Sequence, residues 1–165
     1  KQYYISEAKR AANIQINELK KIKKIFNKSL IKAVDLILNC KGKIIFAGIG
    51  KSGLIARKIS ATFSSVGIPS FFCDPAQALH GDMGQIEKKD ILIIFSYSGN
   101  TSELTNMIKY ANRYSIKIIG IASKPDSILL KASDIKLILP KVKESDVTGM
   151  VPTSSTSITL SLIHI

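Results

Sequence analysis

Arginine is scarce in this chain: Arg10, Arg57 and Arg113 are the only three among 24 basic residues, and the other 21 are lysine. A net charge of +12 invites a nucleic-acid reading, but these lysines are spread along the chain instead of massed on one face. The exception, Lys20-Lys21-Ile22-Lys23-Lys24, reads as a solvated helix face. No nucleic-acid partner is expected, and a general attraction for anionic metabolites fits the charge. Cysteine is nearly absent. Cys40 and Cys73 have neither metal-ligand nor redox spacing, so both are expected to be buried, reduced thiols, and no metal site is expected. No apolar run approaches the roughly 20 residues that cross a bilayer. The opening Lys1-Gln2-Tyr3-Tyr4 lacks the apolar core of a signal peptide. A cytoplasmic location with no membrane partner is the expectation. Repeats, low-complexity stretches and linkers are missing too, which leaves one domain of 165 residues with room for a sizeable core.

What the chain does have is three short segments rich in Ser, Thr and Gly. They are Gly48-Ile49-Gly50-Lys51-Ser52-Gly53, then Ser96-Tyr97-Ser98-Gly99-Asn100-Thr101-Ser102-Glu103, then Pro152-Thr153-Ser154-Ser155-Thr156. Each stands where a strand or loop hands over to a helix. Helix N-termini present unpaired N–H groups and a positive dipole end, and small hydroxyl residues add donors. One such loop reads equally well as a helix cap. Three together point to a site that grips an anion, most simply a phosphate. The candidate binding residues are Gly50, Ser52, Ser96, Ser98, Thr101, Thr153, Ser154 and Ser155.

Periodicity places these loops. Residues 6–38 show apolar positions near helical spacing, with a break expected at Asn27-Lys28-Ser29 and Ser29 as N-cap. Apolar runs at 43–48, 69–73, 91–95, 117–121 and 135–139 read as five strands. Helices fit at 52–66, 101–114 and 126–132, and a last one opens with the third loop. Strands alternating with helices imply a parallel sheet covered on both faces, a doubly wound α/β fold with helices at its N-terminus. Ligands on such sheets bind outside the carboxyl ends of the strands, where the first two loops fall.

The first loop also satisfies G-x-G-x-x-G, with Asp74 about 20 residues on at the next strand end, which is the dinucleotide fingerprint in its proper context. Against it, Lys51-Ser52 places a cation and a hydroxyl where a terminal phosphate would sit, and a dinucleotide has no need of the other two loops. A P-loop is excluded, since the glycine it requires at position 45 is Ile45.

The segments GKSG, LHGDMG, FSYSGNTSE and PTSST, with their spacing, resemble the sugar isomerase (SIS) domain, and within it the arabinose-5-phosphate isomerase group, over residues 6–159. The resemblance implies a five-stranded SIS fold, an aldose–ketose isomerisation of a phosphorylated pentose that supplies Kdo for lipopolysaccharide or capsule, no cofactor, and a homo-oligomer, in related proteins a tetramer. It further implies that Lys51, His80, Glu103 and Glu144 match the family's active-site lysine, histidine and two glutamates.

Such a reaction needs a base to carry a proton between C1 and C2 and a charge near the developing enediolate. Either glutamate can be that base. Lys51 can place positive charge near the enediolate or the phosphate, and His80 can assist ring opening or relay a proton. Each also has a plain structural alternative. Glu103 can serve a helix dipole, Glu144 can be a surface residue, and His80 can fix a loop together with Asp82. Lys51 is the hardest to explain structurally, because a helix N-terminus disfavours a cation. The chain departs from the family at Asn100, often Glu, at Glu144-Ser145-Asp146-Val147, usually Glu-Ala-Cys-Pro, and at Tyr97 and Asp74, Asn and His in related isomerases. The rival function is a non-catalytic phosphosugar sensor, which needs only the hydroxyl loops; an isomerase of another phosphosugar is the nearer alternative.

The expected layout is an N-terminal helical segment over 6–40 and an α/β core over 43–159, without the CBS pair of longer relatives. Residues 160–165 match what a transposon-end sequencing adapter encodes in one frame and are expected to be a non-native tail. His164 is therefore given no catalytic role.

Overall fold

In a computed structural model, residues 2–162 are described. Isoleucine-rich runs with little charge form the centre of the molecule. β1 (Ile44–Gly48) and β3 (Ile91–Phe95) are buried at every position, as strands covered on both faces must be. β4 (Lys117–Ala122) and β5 (Ile135–Ile138) extend the sheet on one side, and the short β2 (Ser70–Phe72) closes the other. All pairings are parallel, in the order β2-β1-β3-β4-β5. The sheet is the five-stranded parallel one expected from the sequence, with ends shifted by a residue or two.

Alternation along each strand divides the core in two. Ile44, Phe46, Ile91, Ile93 and Phe95 face one layer, made by α2 (Lys28–Leu38), α3 (Gly50–Ser65) and α6 (Ser154–Ser161). Ile45, Ala47, Leu92 and Ile94 face the other, made by α4 (Leu104–Arg113) and α5 (Ile128–Ala132). α1 (Gln2–Leu19) lies outside both layers, with no buried residue, against α6. A 3₁₀ stretch, Lys20–Ile25, leads from it and buries Ile22 and Ile25 while Lys20, Lys23 and Lys24 stay exposed. No helix among the described residues is long and apolar enough to cross a membrane.

Three details differ from the sequence reading. The cap of α2 is Asn27, whose Oδ1 accepts from Ser29 N at 2.8 Å; Ser29 supplies the donor. α3 begins two residues early, at Gly50. Cys40 is only half-buried, because α2 ends at the surface there, whereas Cys73 is buried. Burial, with Asp82 and Asp74 nearby, pushes the Cys73 thiol up to about 11, so it stays protonated and unreactive at neutral pH. The expectations about the segment 160–165 fall partly on residues 163–165, His164 included, which lie outside the described residues. Leu162, inside them, packs into the first core layer.

Candidate active site

The strand order reverses between β1 and β3: the chain leaves β1 toward β2 and returns past it to β3. Two loops diverge at such a point and leave a crevice at the carboxyl edge. Here they are the loop opening α3 and the loop 96–101. A cleft of about 560 Å³ lies between them. One wall carries Lys51 and Ser52, another Ser96, Ser98 and Thr101, and the third Glu144, Ser155 and Thr156. All of these but Thr156, seven residues, are ones that the sequence marked.

The first wall owes its shape to glycine. A Cβ on Gly53 would lie 2.6 Å from the Gly48 carbonyl oxygen, so only glycine lets α3 start so close to the end of β1. This packing accounts for Gly48 and Gly53 of the G-x-G-x-x-G pattern, and a φ of +57° accounts for Gly50. Asp74, the fingerprint's acid, takes Ala76 N at 3.0 Å and lies 3.5 Å from the Arg57 guanidinium. Lys51 stands in the first turn of α3, exposed, with no ion-pair partner among the described residues.

The second wall is a compact turn. Buried Ser96 accepts from Gly99 N at 3.0 Å and shares a 2.8 Å bond with the Thr101 hydroxyl. Gly99 has φ +69°, and a Cβ there would meet the Ser127 hydroxyl at 2.2 Å. The turn is fastened to α5: Asn100 Oδ1 accepts from Ile128 N at 2.9 Å, and Gly99 O from Leu129 N at 3.0 Å. Asn100, a departure from the family pattern, is therefore a cap for the neighbouring helix.

Glu144 dominates the third wall. Its Oε2 accepts from Thr153 N at 2.7 Å, Thr153 Oγ1 at 2.9 Å and Ser155 N at 3.2 Å. The carboxylate thus caps α6 from ten residues upstream of its start, where the helix dipole favours negative charge. Burial opposes its ionisation, but the hydrogen bonds from Ser155 and Thr153 outweigh that and hold the carboxyl below its ordinary value. It is ionised at neutral pH, as a proton acceptor must be.

The other marked residues stand apart from the cleft. Thr153 spends its amide and hydroxyl on Glu144 and accepts from Ser145 N at 2.8 Å. Ser154 is buried, its hydroxyl without a hydrogen-bond partner among the described residues. Gly50 opens α3 beside Lys51. His80 is exposed in the short turn Ala78–His80. Glu103 is also exposed, before α4; its own backbone N–H and the Ser102 hydroxyl hold its carboxyl below the ordinary value.

Sequence reasoning passed over Tyr97 as a site residue. It lines the cleft, and its hydroxyl donates to Pro140 O at 3.4 Å and accepts from Val142 N at 3.1 Å, tying the second wall to the third. Its position within Ser-x-Ser was the available signal. Thr156 and Thr159, one helical turn apart on α6, also line the cleft.

Known proteins match this arrangement. The family model described as "SIS domain" covers residues 37–165. The uncharacterized protein RP505 of Rickettsia prowazekii is 43% identical over 155 residues, covering 94% of this chain and 48% of its own length. Arabinose 5-phosphate isomerase KdsD of Escherichia coli K12 is 40% identical over 142 residues, covering 86% of this chain and 43% of its own length. The chain thus spans less than half the length of these curated relatives. Among solved structures, c3406 of Escherichia coli CFT073, in complex with arabinose 5-phosphate, superposes with a TM-score of 0.93 at 29% identity, over 99% of this chain and 87% of that one. A five-stranded parallel sheet, a hydroxyl-lined cleft at its switch point and a family match over more than three quarters of the sequence lead to one conclusion: this chain belongs to the SIS-domain family.

Proposed function

We propose that this chain is the isomerase domain of a sugar-phosphate isomerase that interconverts ribulose 5-phosphate and arabinose 5-phosphate. The observation that carries the reading is the presence of Glu144, ionised and anchored, in one cleft with Lys51 and the hydroxyls of Ser96, Ser98 and Thr101. In this reading the turn 96–101 and Ser52 hold the phosphate, with Ser155 beside them. Glu144 removes a proton from C1 of the ketose, and the C–H electron pair becomes the C1–C2 double bond of an enediolate. The ammonium of Lys51 stabilises the negative oxygen. Return of that proton to C2, with the C1 hydroxyl proton passing to the C2 oxygen, gives the aldose. No electron leaves the substrate, so the step calls on no redox partner.

Glu144 is preferred over Glu103 as the base because Glu144 lines the cleft and Glu103 does not. His80 retains the active-site place that the resemblance implies, either assisting ring opening or relaying a proton. A role in supplying Kdo for lipopolysaccharide or capsule, in the cytoplasm, belongs to the same proposal; the reaction it rests on is supported by relatives named arabinose 5-phosphate isomerase. So does a homo-oligomer, a tetramer by resemblance. Supporting it, α1 exposes Tyr3, Tyr4, Ile5 and Ile16, which a second copy would cover. Monomeric sedimentation at high concentration would count against this assembly.

The test of the activity is proton NMR of ribulose 5-phosphate with the chain in heavy water. Arabinose 5-phosphate carrying deuterium at C2 is the expected product. No conversion and no exchange at C1 would overturn the reading.

A further inference from the structure

Glu144 sits within a fifteen-residue segment, 139–153, that joins β5 to α6 without helix or strand. Segments of this length ordinarily have conformational freedom, yet this one must aim a carboxylate. Backbone groups on both sides of Glu144 are tied to α1. Glu18 Oε2 accepts from Lys143 N at 3.0 Å, and Arg10 Nη2 donates to Ser145 O at 3.1 Å. Gln15 Nε2 donates to Ser145 Oγ at 3.1 Å, while Gln15 Oε1 accepts from Ser157 Oγ at 3.2 Å. Gln15 therefore bridges the segment carrying Glu144 and the helix that Glu144 caps. Arg10 is itself steadied by Glu7 at 2.8 Å, and Glu18 by Lys21.

A second observation concerns the inner face of α1. Its less exposed positions are Glu7, Arg10, Ala11, Ile14, Gln15 and Glu18. Helical spacing puts them on one stripe, but four of the six are polar. A helix docked for stability presents an apolar stripe; this one presents hydrogen-bonding groups to the residues flanking the candidate base.

We propose that Arg10, Gln15 and Glu18 are positioning residues, through which α1 fixes the Glu144 carboxylate in the cleft. The proposal rests on the reading of Glu144 as the base. These side chains act through the backbone at 143 and 145 and through α6, without touching substrate. Misplacing a reacting group by about 1 Å costs on the order of a hundredfold in rate, so loss of the ties falls on kcat. The phosphate turn 96–101 makes none of its described bonds to α1, so KM is spared.

The test uses the full chain carrying Gln15→Ala with Glu18→Ala, and Glu18→Gln alone, whose amide oxygen still accepts from Lys143 N. Two readouts are needed: steady-state kinetics on ribulose 5-phosphate, and carbon-13 NMR titration of the Glu144 carboxyl, assigned by its loss in Glu144→Gln. Lys51 in the cleft, with Arg10, Lys21 and Lys143 near the segment, are unchanged in every variant. The double variant is expected to lose about tenfold to a hundredfold in kcat with KM within about twofold, and its Glu144 carboxyl to titrate nearer the ordinary glutamate value of about 4.3. Glu18→Gln restores both. An unchanged Glu144 titration in the double variant overturns the proposal, whether turnover is retained or falls together with the melting temperature. If the parent chain isomerises nothing but the titration moves as expected, the positioning stands and the isomerase reading is what fails.

Discussion

The turn 96–101 and the segment 139–153 form facing walls of one cleft, yet they are held in opposite ways. The turn's internal bonds span five residues or fewer, and its outer ties run to α5, the next helix but one along the chain, and through Tyr97 to Pro140 and Val142. The residues flanking Glu144 are held in addition by partners 125 to 135 residues away in sequence. Gripping a phosphate needs donors that converge on one point, which a single tight turn at a helix start supplies. Moving a proton between two carbons needs a carboxylate set against a substrate already held, and that relation spans the whole fold.

The largest break in this comparison is expected from Glu144→Gln. Turnover of ribulose 5-phosphate should fall by about 10²- to 10⁴-fold, while calorimetry still finds the sugar phosphate bound. If binding collapsed along with turnover, the two walls would not have separate duties. Next in size, Gly53→Ala pushes a methyl against the Gly48 carbonyl and should cost about 1–3 kcal/mol in denaturant unfolding, disturbing Lys51 and Ser52 on α3 and the α6 wall packed against that helix. A mutant as stable as the parent would mean that α3 can back away from β1. A smaller and more selective effect belongs to Ser96→Ala, which takes away the partner of the Thr101 hydroxyl and leaves Gly99 N only the Ser96 carbonyl. That loss is worth about 0.5–1.5 kcal/mol, and a KM raised severalfold with kcat nearly kept is the outcome consistent with a phosphate grip.

Acid gives the finest distinction. Glu144 has a carboxyl lowered in the fold, so its contribution to stability is full above the ordinary carboxylate value of about 4.3 and is lost as pH falls through the folded value. Amide NMR signals of Thr153 and Ser155, which donate to that carboxylate, should move between pH 7 and 3. That of Gly99, bonded to a hydroxyl, should stay. Equal movement at all three would erase the contrast.

The same contrast explains what could be read in advance. β1 and β3 were legible because strands buried on both faces must be continuously apolar, and Ile91–Phe95 matches its expected span to the residue. The hydroxyl loops were legible because a helix start must be marked by small polar residues. Neighbouring candidates for one task were harder to separate: Asn27 and Ser29 both suit a cap, and the hydrogen bond decides for Asn27. Nothing local shows that Ser155 lines the cleft while Thr153 does not, although both donate to Glu144. The ties from Gln15 and Glu18 to residues near 144 have no sequence signature, since only the finished fold makes them neighbours.

α1, which buries no residue of its own, also sets how this protein should fail when warmed. A helix attached by a few hydrogen bonds and no buried side chain opens at a lower free energy than the sheet beneath it, as its own cooperative unit. Its amides should exchange with solvent far sooner than those of β1 and β3. If the proposed activity holds, heat should then silence turnover before it melts the fold, leaving an intact but idle sheet that recovers on cooling as the helix settles back.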